Sequence, residues 1–312
     1  MKNKEELPLE TLLKTYTRRF RQLGLPIPKQ FDTKVREALD EDEELIQLHL
    51  WEELGPNAAS VIFDSLKKAN FMFLKSVRLW KTACGDEGAR LLGEYLIFNP
   101  AVEILDLLNN GISPLGCEFL GRPLLAGGGA LKRLTMDHNL IGAEGLALLA
   151  DGLRRSPNLV ELSLSFCELP PEAATFLQQI LLFHKSKLEI LNLHGNRLGS
   201  AGFLQVIRAL EPNEALLKLN VRDNQIAEEK PLVDQLITTL EKNPVLETLD
   251  LSFNGFRQET AEKILELETK KMQTRVEMDD HFEPAFCEKF NLLMAKIKPK
   301  KKKPKKAAKP KT

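Results

Sequence analysis

Histidine and aspartate side chains are the best candidates for chemistry in this sequence. His49, His138 and His194 could bind a metal or transfer a proton, with Asp106 and Asp137 as carboxylate partners. They lie far apart in the chain, and no histidine shows the short spacing of a metal-binding motif. The sequence also has no nucleophile elbow, P-loop, dinucleotide fingerprint or zinc motif. We therefore predict no enzyme, cofactor or metal, and we interpret these residues as solvated polar groups on a binding face.

The C-terminal end of the sequence is strongly cationic. Residues 296–312 contain ten lysines and no acidic residue, so the formal net charge of zero divides into a +10 tail and a −10 body. Such a tail can bind nucleic acid, acidic lipid headgroups or the acidic tails of tubulin through counterion release. The candidate polyanion-binding residues are Lys300, Lys301, Lys302, Lys303, Lys305 and Lys306. Residues 299–306 also look like a nuclear-import signal, and a solubilising tail is the alternative interpretation.

A repeated leucine pattern determines where the other candidate residues lie. Residues 188–198 read L-x-x-L-x-L-x-x-N-x-L, and apolar residues at helical spacing follow. Eight such units, 28 to 30 residues apart, begin at Leu45, Leu74, Val102, Leu131, Leu159, Leu188, Leu216 and Leu246. Within a unit, two leucines two residues apart point to the same side of a short strand. We therefore predict an α/β solenoid of stacked strands and helices over residues 45–267.

The alternation of 28 and 29 residues resembles the ribonuclease-inhibitor type of leucine-rich repeat, over about seven tenths of the chain. The resemblance implies a horseshoe with parallel strands on its concave face and helices on its convex face. It implies an interaction surface rather than one activity. Intracellular members of cilia and the cytoskeleton look most similar, since they combine such repeats with helical flanks and a lysine tail. Ran GTPase-activating proteins are also similar over the solenoid, but they carry an acidic segment where this chain is basic. A nuclear or nucleolar scaffold that binds nucleic acid through the tail is the third alternative.

One asparagine position recurs at the turn that leaves each strand. It is occupied by Asn110, Asn139, Asn196, Asn224 and Asn254, whereas Cys167 takes it in one repeat. An asparagine side chain there can form hydrogen bonds to the backbone of the turn. We therefore predict that these asparagines stabilise the turn that leaves the strand.

The strand pattern predicts which side chains line the concave face. The candidate partner-binding residues are His49, Arg78, Asp106, Trp51, Trp80, Leu108, Asp137, His194 and Arg222. The two tryptophans of the chain fall on one column in adjacent repeats, with Leu108 beside them. Exposed aromatic side chains in such a position are typical anchors of a protein interface. The alternative is that an N-terminal cap folds over both rings and buries them.

The remaining segments are predicted to flank the solenoid. Residues 1–44 form a helical cap with helices at residues 8–23 and 32–39, and Leu23 is predicted on the apolar face of the first helix. Residues 268–297 form a C-terminal cap with an edge strand at 276–278 and a helix at 284–297. Residues 298–312 have almost nothing to bury and are predicted to be disordered.

Cellular context is predicted from what the sequence lacks. No apolar run is long enough to span a membrane, and the N-terminus has no signal-peptide core. Four widely spaced cysteines indicate a reducing compartment. We predict a cytoplasmic protein of the cilium or cytoskeleton, with the nucleus as the alternative. It would be a monomer within a larger assembly.

Overall fold

The computed structural model describes residues 7–127, 129–268, 273–279 and 281–297. Within these residues one parallel sheet has nine strands that follow one another in chain order. The strands are β1 (Gln47–Leu50), β2 (Ser76–Leu79), β3 (Ile104–Asp106), β4 (Arg133–Thr135), β5 (Glu161–Ser163), β6 (Ile190–Asn192), β7 (Lys218–Asn220), β8 (Thr248–Asp250) and β9 (Arg275–Glu277). The last of these confirms the predicted edge strand.

The described helices precede, connect and follow the strands. They are α1 (Pro8–Leu23), α2 (Lys29–Asp40), α3 (Gly55–Lys68), α4 (Gly85–Phe98), α5 (Pro114–Leu125), α6 (Gly142–Arg155), α7 (Ala174–Leu181, after a 3-10 turn at Pro171–Ala173), α8 (Gly199–Leu210), α9 (Lys230–Lys242), α10 (Gln258–Glu268) and α11 (Pro284–Lys296). Helices α3 to α10 connect successive strands on one side of the sheet, whereas α1 and α2 precede β1 and α11 follows β9. This arrangement confirms the predicted α/β leucine-rich repeat solenoid. The sheet forms its concave face, and the helices form its convex face.

The strand register agrees with the repeat pattern. The residues between the paired leucines align strand to strand, from His49 with Arg78 to Asn220 with Asp250. Leu191 and Leu193 are buried, whereas Asn192 between them is half-buried on the concave face. The first leucine position of each repeat is also buried, which includes Leu45 and Leu246 at the two ends. Stacking the repeats therefore produces one continuous apolar core.

Buried asparagines fix the turn after most strands, as predicted. The Asn196 amide donates to the carbonyls of Leu164 and Leu193, at 2.9 and 2.7 Å. Its oxygen accepts the N–H groups of Cys167 and Leu169, both at 3.0 Å. One side chain thus satisfies four buried backbone groups in two adjacent repeats. Cys167 occupies the same position with its Sγ 3.2 Å from the Met136 carbonyl.

The N-terminal helices cover the β1 end of the solenoid and differ from the prediction in two places. Helix α2 begins at Lys29 rather than at residue 32, because the Glu52 carboxylate accepts the N–H groups of Lys29 and Gln30. This contact comes from a distant segment, so local capping signals did not reveal it. Leu23, predicted on the apolar face of α1, is exposed because it is the last residue before the turn at Gly24.

Side chains of α11 cover the other end of the sheet. Phe290 and Met294 are buried, and the Val276 N–H in β9 donates to Met294 Sδ at 3.5 Å. No helix among the described residues is long and apolar enough to cross a membrane. The candidate polyanion-binding residues, Lys300 to Lys306, and the predicted disorder of residues 298–312 lie outside the described residues.

Candidate protein-binding face

A left-handed residue follows most strands and projects its side chain at the edge of the concave face. Lys81, Asn109, His138, Phe166, Asp223 and Phe253 have φ between 51° and 58°, and Gly195 has φ of 70°. Non-glycine residues adopt this conformation at an energetic cost. Here the buried asparagine ladder satisfies the turn backbone and maintains the conformation in repeat after repeat. The result is a row of side chains along the carboxyl ends of the strands.

Trp51, Trp80 and Leu108 form an exposed group here called the tryptophan patch. Trp51 is 60% exposed, Trp80 is 39% exposed, and Leu108 is half-buried. The Trp80 N–H donates to the Leu50 carbonyl at 2.9 Å, so the two tryptophans lie on neighbouring, rigidly paired strands. The N-terminal cap contacts the backbone of Trp51 through Gln30 Oε1, at 2.8 Å. It does not cover the rings, which stay accessible to a partner.

The polar residues around the tryptophan patch form local contacts with neighbouring side chains and with the backbone. His49 Nε2 lies 2.9 Å from Ser76 Oγ, and burial together with the nearby Arg78 guanidinium lowers the pKa of this imidazole. The Asp106 carboxylate accepts the Leu108 N–H at 3.3 Å. The Arg78 guanidinium lies 5.9 Å from the centre of the Trp80 ring. These contacts hold the side chains around the patch in place.

Asp137 lies deeper in the concave face than the sequence pattern suggested. Its Oδ1 accepts the Ser165 N–H at 2.8 Å, and burial raises the pKa of the carboxyl group. Hydrogen bonds from Ser163 and Ser165 oppose that increase. The sequence interpretation of a solvated side chain is therefore incomplete, because Asp137 also supports the turn of the next repeat.

Three stacked rings, which the sequence analysis did not bring together, continue the row. His138 stacks on Phe166 with ring centres 4.5 Å apart and an interplanar angle of 16°. The Phe166 ring also contacts His194, with ring centres 4.7 Å apart and a tilted interplanar angle of 57°. Its ring occupies the space beside Gly195, where a Cβ would lie 2.2 Å from the ring. We call His138, Phe166 and His194 the ring stack. Gly195 occupies the same repeat position as Phe166, one repeat later. This glycine was the sequence signal that space is left beside the Phe166 ring.

Half-buried Arg222 and exposed Phe253 form a further pair near the C-terminal end of the row. The Arg222 guanidinium carbon lies 3.8 Å from the centre of the Phe253 ring, which is the geometry of a cation–π contact. Phe253 is 61% exposed. Arg222 was predicted on the concave face, whereas its partner ring comes from the left-handed position of the next repeat.

Comparisons with known proteins concern the repeats. A family model described as "Leucine Rich repeat" matches residues 242–265. "NACHT, LRR and PYD domains-containing protein 12" of Homo sapiens is 30% identical over 184 residues, which is 58% of this chain and 17% of that protein. "Ribonuclease inhibitor" of Sus scrofa is 35% identical over 147 residues, 46% of this chain and 32% of the relative.

The chain has a leucine-rich repeat fold, and its repeats are similar to those of ribonuclease-inhibitor-type proteins. It spans about a sixth of the human relative and about a third of the pig relative. Among solved structures, the actin-binding site 2 of leiomodin-1 is similar with a TM-score of 0.42, 18% identity and coverage of 48% of this chain and 86% of that one. A tropomodulin C-terminal domain from Caenorhabditis elegans is similar with a TM-score of 0.42 and 16% identity. The match covers 49% of this chain and 89% of that one.

Cysteine thiols and possible metal ligands are the remaining candidates for chemistry in the described part of this leucine-rich repeat protein. No group of three or more His, Cys, Asp or Glu residues there could hold a metal ion. Cys84, Cys117 and Cys167 are buried, and burial raises the pKa of the Cys84 and Cys117 thiols to about 12. These thiols pack in the core between repeats, where their thiolate forms are strongly disfavoured. The exposed rings of the concave face are therefore stronger candidates for a functional site than the buried thiols.

Proposed function

We propose that this protein is a non-enzymatic interaction scaffold that binds a partner protein through its concave face. The tryptophan patch carries the proposal. Trp51 and Trp80 expose large rings, and each residue directly follows one of two paired strands of the sheet. Rings held in this way lose little conformational entropy when a partner covers them, and such residues dominate the binding energy of many interfaces.

The polar candidate residues lie on either side of the tryptophan patch and could orient a bound partner. His49, Arg78 and Asp106 lie on the strand positions just before it, and Asp137, His194 and Arg222 follow it along the solenoid. A partner with complementary charges would be oriented by these groups more than it would be bound by them. By its name the pig relative inhibits a ribonuclease, so that relative acts on another protein.

Polyanion binding by the lysine tail is the second part of the proposal. Ten lysines without an acidic residue in 296–312 would attract an anionic surface, while the body has a formal charge of −10. We assign the tail to the acidic tails of tubulin, within a cilium, axoneme or other part of the cytoskeleton. The concave face and the tail would then bind two different ligands, and the chain would act as a monomer within a larger assembly.

The tryptophan patch predicts a large loss of partner binding on truncation. Replacing both rings, Trp51→Ala with Trp80→Ala, should weaken a concave-face partner by at least about 2 kcal/mol, because buried interface aromatics behave as hot spots. The partner would be identified by affinity purification with the wild-type chain, and its Kd would then be measured for both proteins. The melting temperature should change little, because neither ring is in the core.

A matched control separates this effect from a general loss of exposed apolar area. Ile97 and Leu182 are 52% and 49% exposed at the ends of helices, away from the concave face. Ile97→Ala with Leu182→Ala should leave the Kd unchanged. If the control pair weakens binding as much as the tryptophan pair, the concave face is not the docking surface.

Removal of the tail predicts a selective electrostatic defect. Deleting residues 298–312 leaves α11 intact and should remove most salt-sensitive binding to microtubules in a co-sedimentation assay, with the melting temperature unchanged. Microtubules stripped of their acidic tails serve as the control. Retention of salt-sensitive microtubule binding by the deletion variant would contradict the tubulin assignment, as would a tail that binds only nucleic acid.

A further inference from the structure

An apolar or π-bearing side chain that is exposed or half-buried follows every strand from β1 to β8. The tryptophan patch accounts for three strands, the ring stack for the next three, and the Arg222–Phe253 pair for the last two. We call this row of eight side chains the rim. Neighbouring strands lie about 4.8 Å apart, so seven intervals give the rim a length of roughly 34 Å. That length far exceeds one hot spot and indicates an elongated ligand.

The sheet offers no backbone hydrogen bonds to a ligand lying along the rim. The rim runs across the strands, whose N–H and C=O groups pair with neighbouring strands. At the β1 end the Trp51 N–H is bonded to Gln30, and in β9 the Val276 N–H is bonded to Met294. An extended segment would therefore form no backbone hydrogen bonds with the sheet. An α-helix does not need them, because it satisfies its own backbone groups.

Helical geometry also matches the spacing of the rim. A helix presents one contact row every 5.4 Å, which is close to the roughly 4.8 Å between strands. A helix of about 22 residues would cover the roughly 34 Å from Trp51 to Phe253. Side chains at spacing i, i+3, i+4 and i+7 would then meet successive rings of the rim.

Cationic groups near both ends of the rim lack acidic partners. In the described part of the chain neither Arg78 nor Arg222 forms an ion pair, and Arg78 Nε is buried without a hydrogen-bond partner. Each guanidinium instead lies beside an exposed ring, at 5.9 Å from Trp80 and 3.8 Å from Phe253. A carboxylate approaching each ring would meet a positive charge that is already positioned for it.

We propose that the rim seats one amphipathic α-helix of a partner protein, about six turns long and carrying carboxylates near both of its ends. This inference rests on the proposed function for the tryptophan patch and extends it to Phe166 and Phe253. The partner helix lies across eight strands, with its apolar stripe on the rings and its carboxylates near Arg78 and Arg222.

Two phage-displayed libraries of 22-residue peptides test the proposal on the full chain. In one library an amphipathic helix has randomised residues on a single face, and in the other proline and glycine prevent helix formation. The helical library should yield binders rich in apolar residues at helical spacing. Binding of these peptides should fall at least tenfold with Trp51→Ala/Trp80→Ala and also with Phe166→Ala/Phe253→Ala. Arg222→Glu should select against acidic peptides, and Ile97→Ala/Leu182→Ala should have no effect.

The outcomes separate the rim from the tryptophan patch. Helical peptides that depend on the tryptophans but not on Phe166, Phe253 or Arg222 would overturn the rim while leaving the proposed function standing. The helix proposal would be overturned if neither double variant weakened peptide binding. It would also be overturned if binders came only from the non-helical library. Circular dichroism of each variant confirms folding, and Arg222→Glu provides a test that does not remove any ring.

Discussion

Leu193→Ala should lower the free energy of unfolding by about 2–5 kcal/mol. Leu193 is fully buried between neighbouring repeats, so truncation creates a cavity in a core that stacks only with its neighbours. Thr135→Ala provides the comparison, because Thr135 lies half-buried on the concave face of another strand. That substitution should cost less than about 1 kcal/mol. Urea unfolding monitored by circular dichroism measures both.

The comparison tests the orientation of every strand. Side chains alternate with a period of two along a strand. A register shifted by one residue would therefore place Thr135 and the residues aligned with it in the core. Equal losses of stability for Leu193→Ala and Thr135→Ala would show that the assigned faces are wrong.

Asn196→Ala should destabilise the protein by at least about 3 kcal/mol, although the side chain is polar. Its removal leaves the N–H groups of Cys167 and Leu169 and the carbonyls of Leu164 and Leu193 without that partner. A buried backbone group that loses its hydrogen bond costs roughly 1–3 kcal/mol. Chemical denaturation of the variant and the wild type gives the difference.

Cys167→Asn is the matched control for the asparagine ladder. It installs the residue found at the same position in the neighbouring repeats, where Asn139 already donates to the Leu107 and Met136 carbonyls. We expect an unchanged or raised melting temperature. If Cys167→Asn destabilises the protein as much as Asn196→Ala does, the asparagine is not interchangeable between repeats. A loss of less than about 1 kcal/mol for Asn196→Ala would contradict the structural role assigned to Asn196.

The repeat period allowed most of the fold to be predicted from sequence. The leucines of each repeat can be buried only if every repeat adds a strand in the same register. The predicted alignment of His49, Arg78 and Asp106 on one column therefore agrees with the observed pairing. The edge strand β9 and the span of α1 followed from equally local signals.

Features set by the turns and by distant contacts could not be read in the same way. The direction of Phe166 depends on its left-handed backbone, with φ of 52°, rather than on strand alternation. Its stacking between His138 and His194 also needs the space beside Gly195 in the next repeat. Likewise the start of α2 depends on Glu52, which lies more than twenty residues away in sequence.

Fluorescence of Trp51 and Trp80 tests the central claim most directly, because the chain contains no other tryptophan. In the protein without a partner, the emission maximum should lie near that of solvent-exposed indole, and acrylamide should quench it efficiently. Addition of a concave-face partner should shift the emission to shorter wavelength and protect it from acrylamide. Emission typical of buried indole before any partner is added, with little quenching, would contradict the claim that these rings form the docking surface.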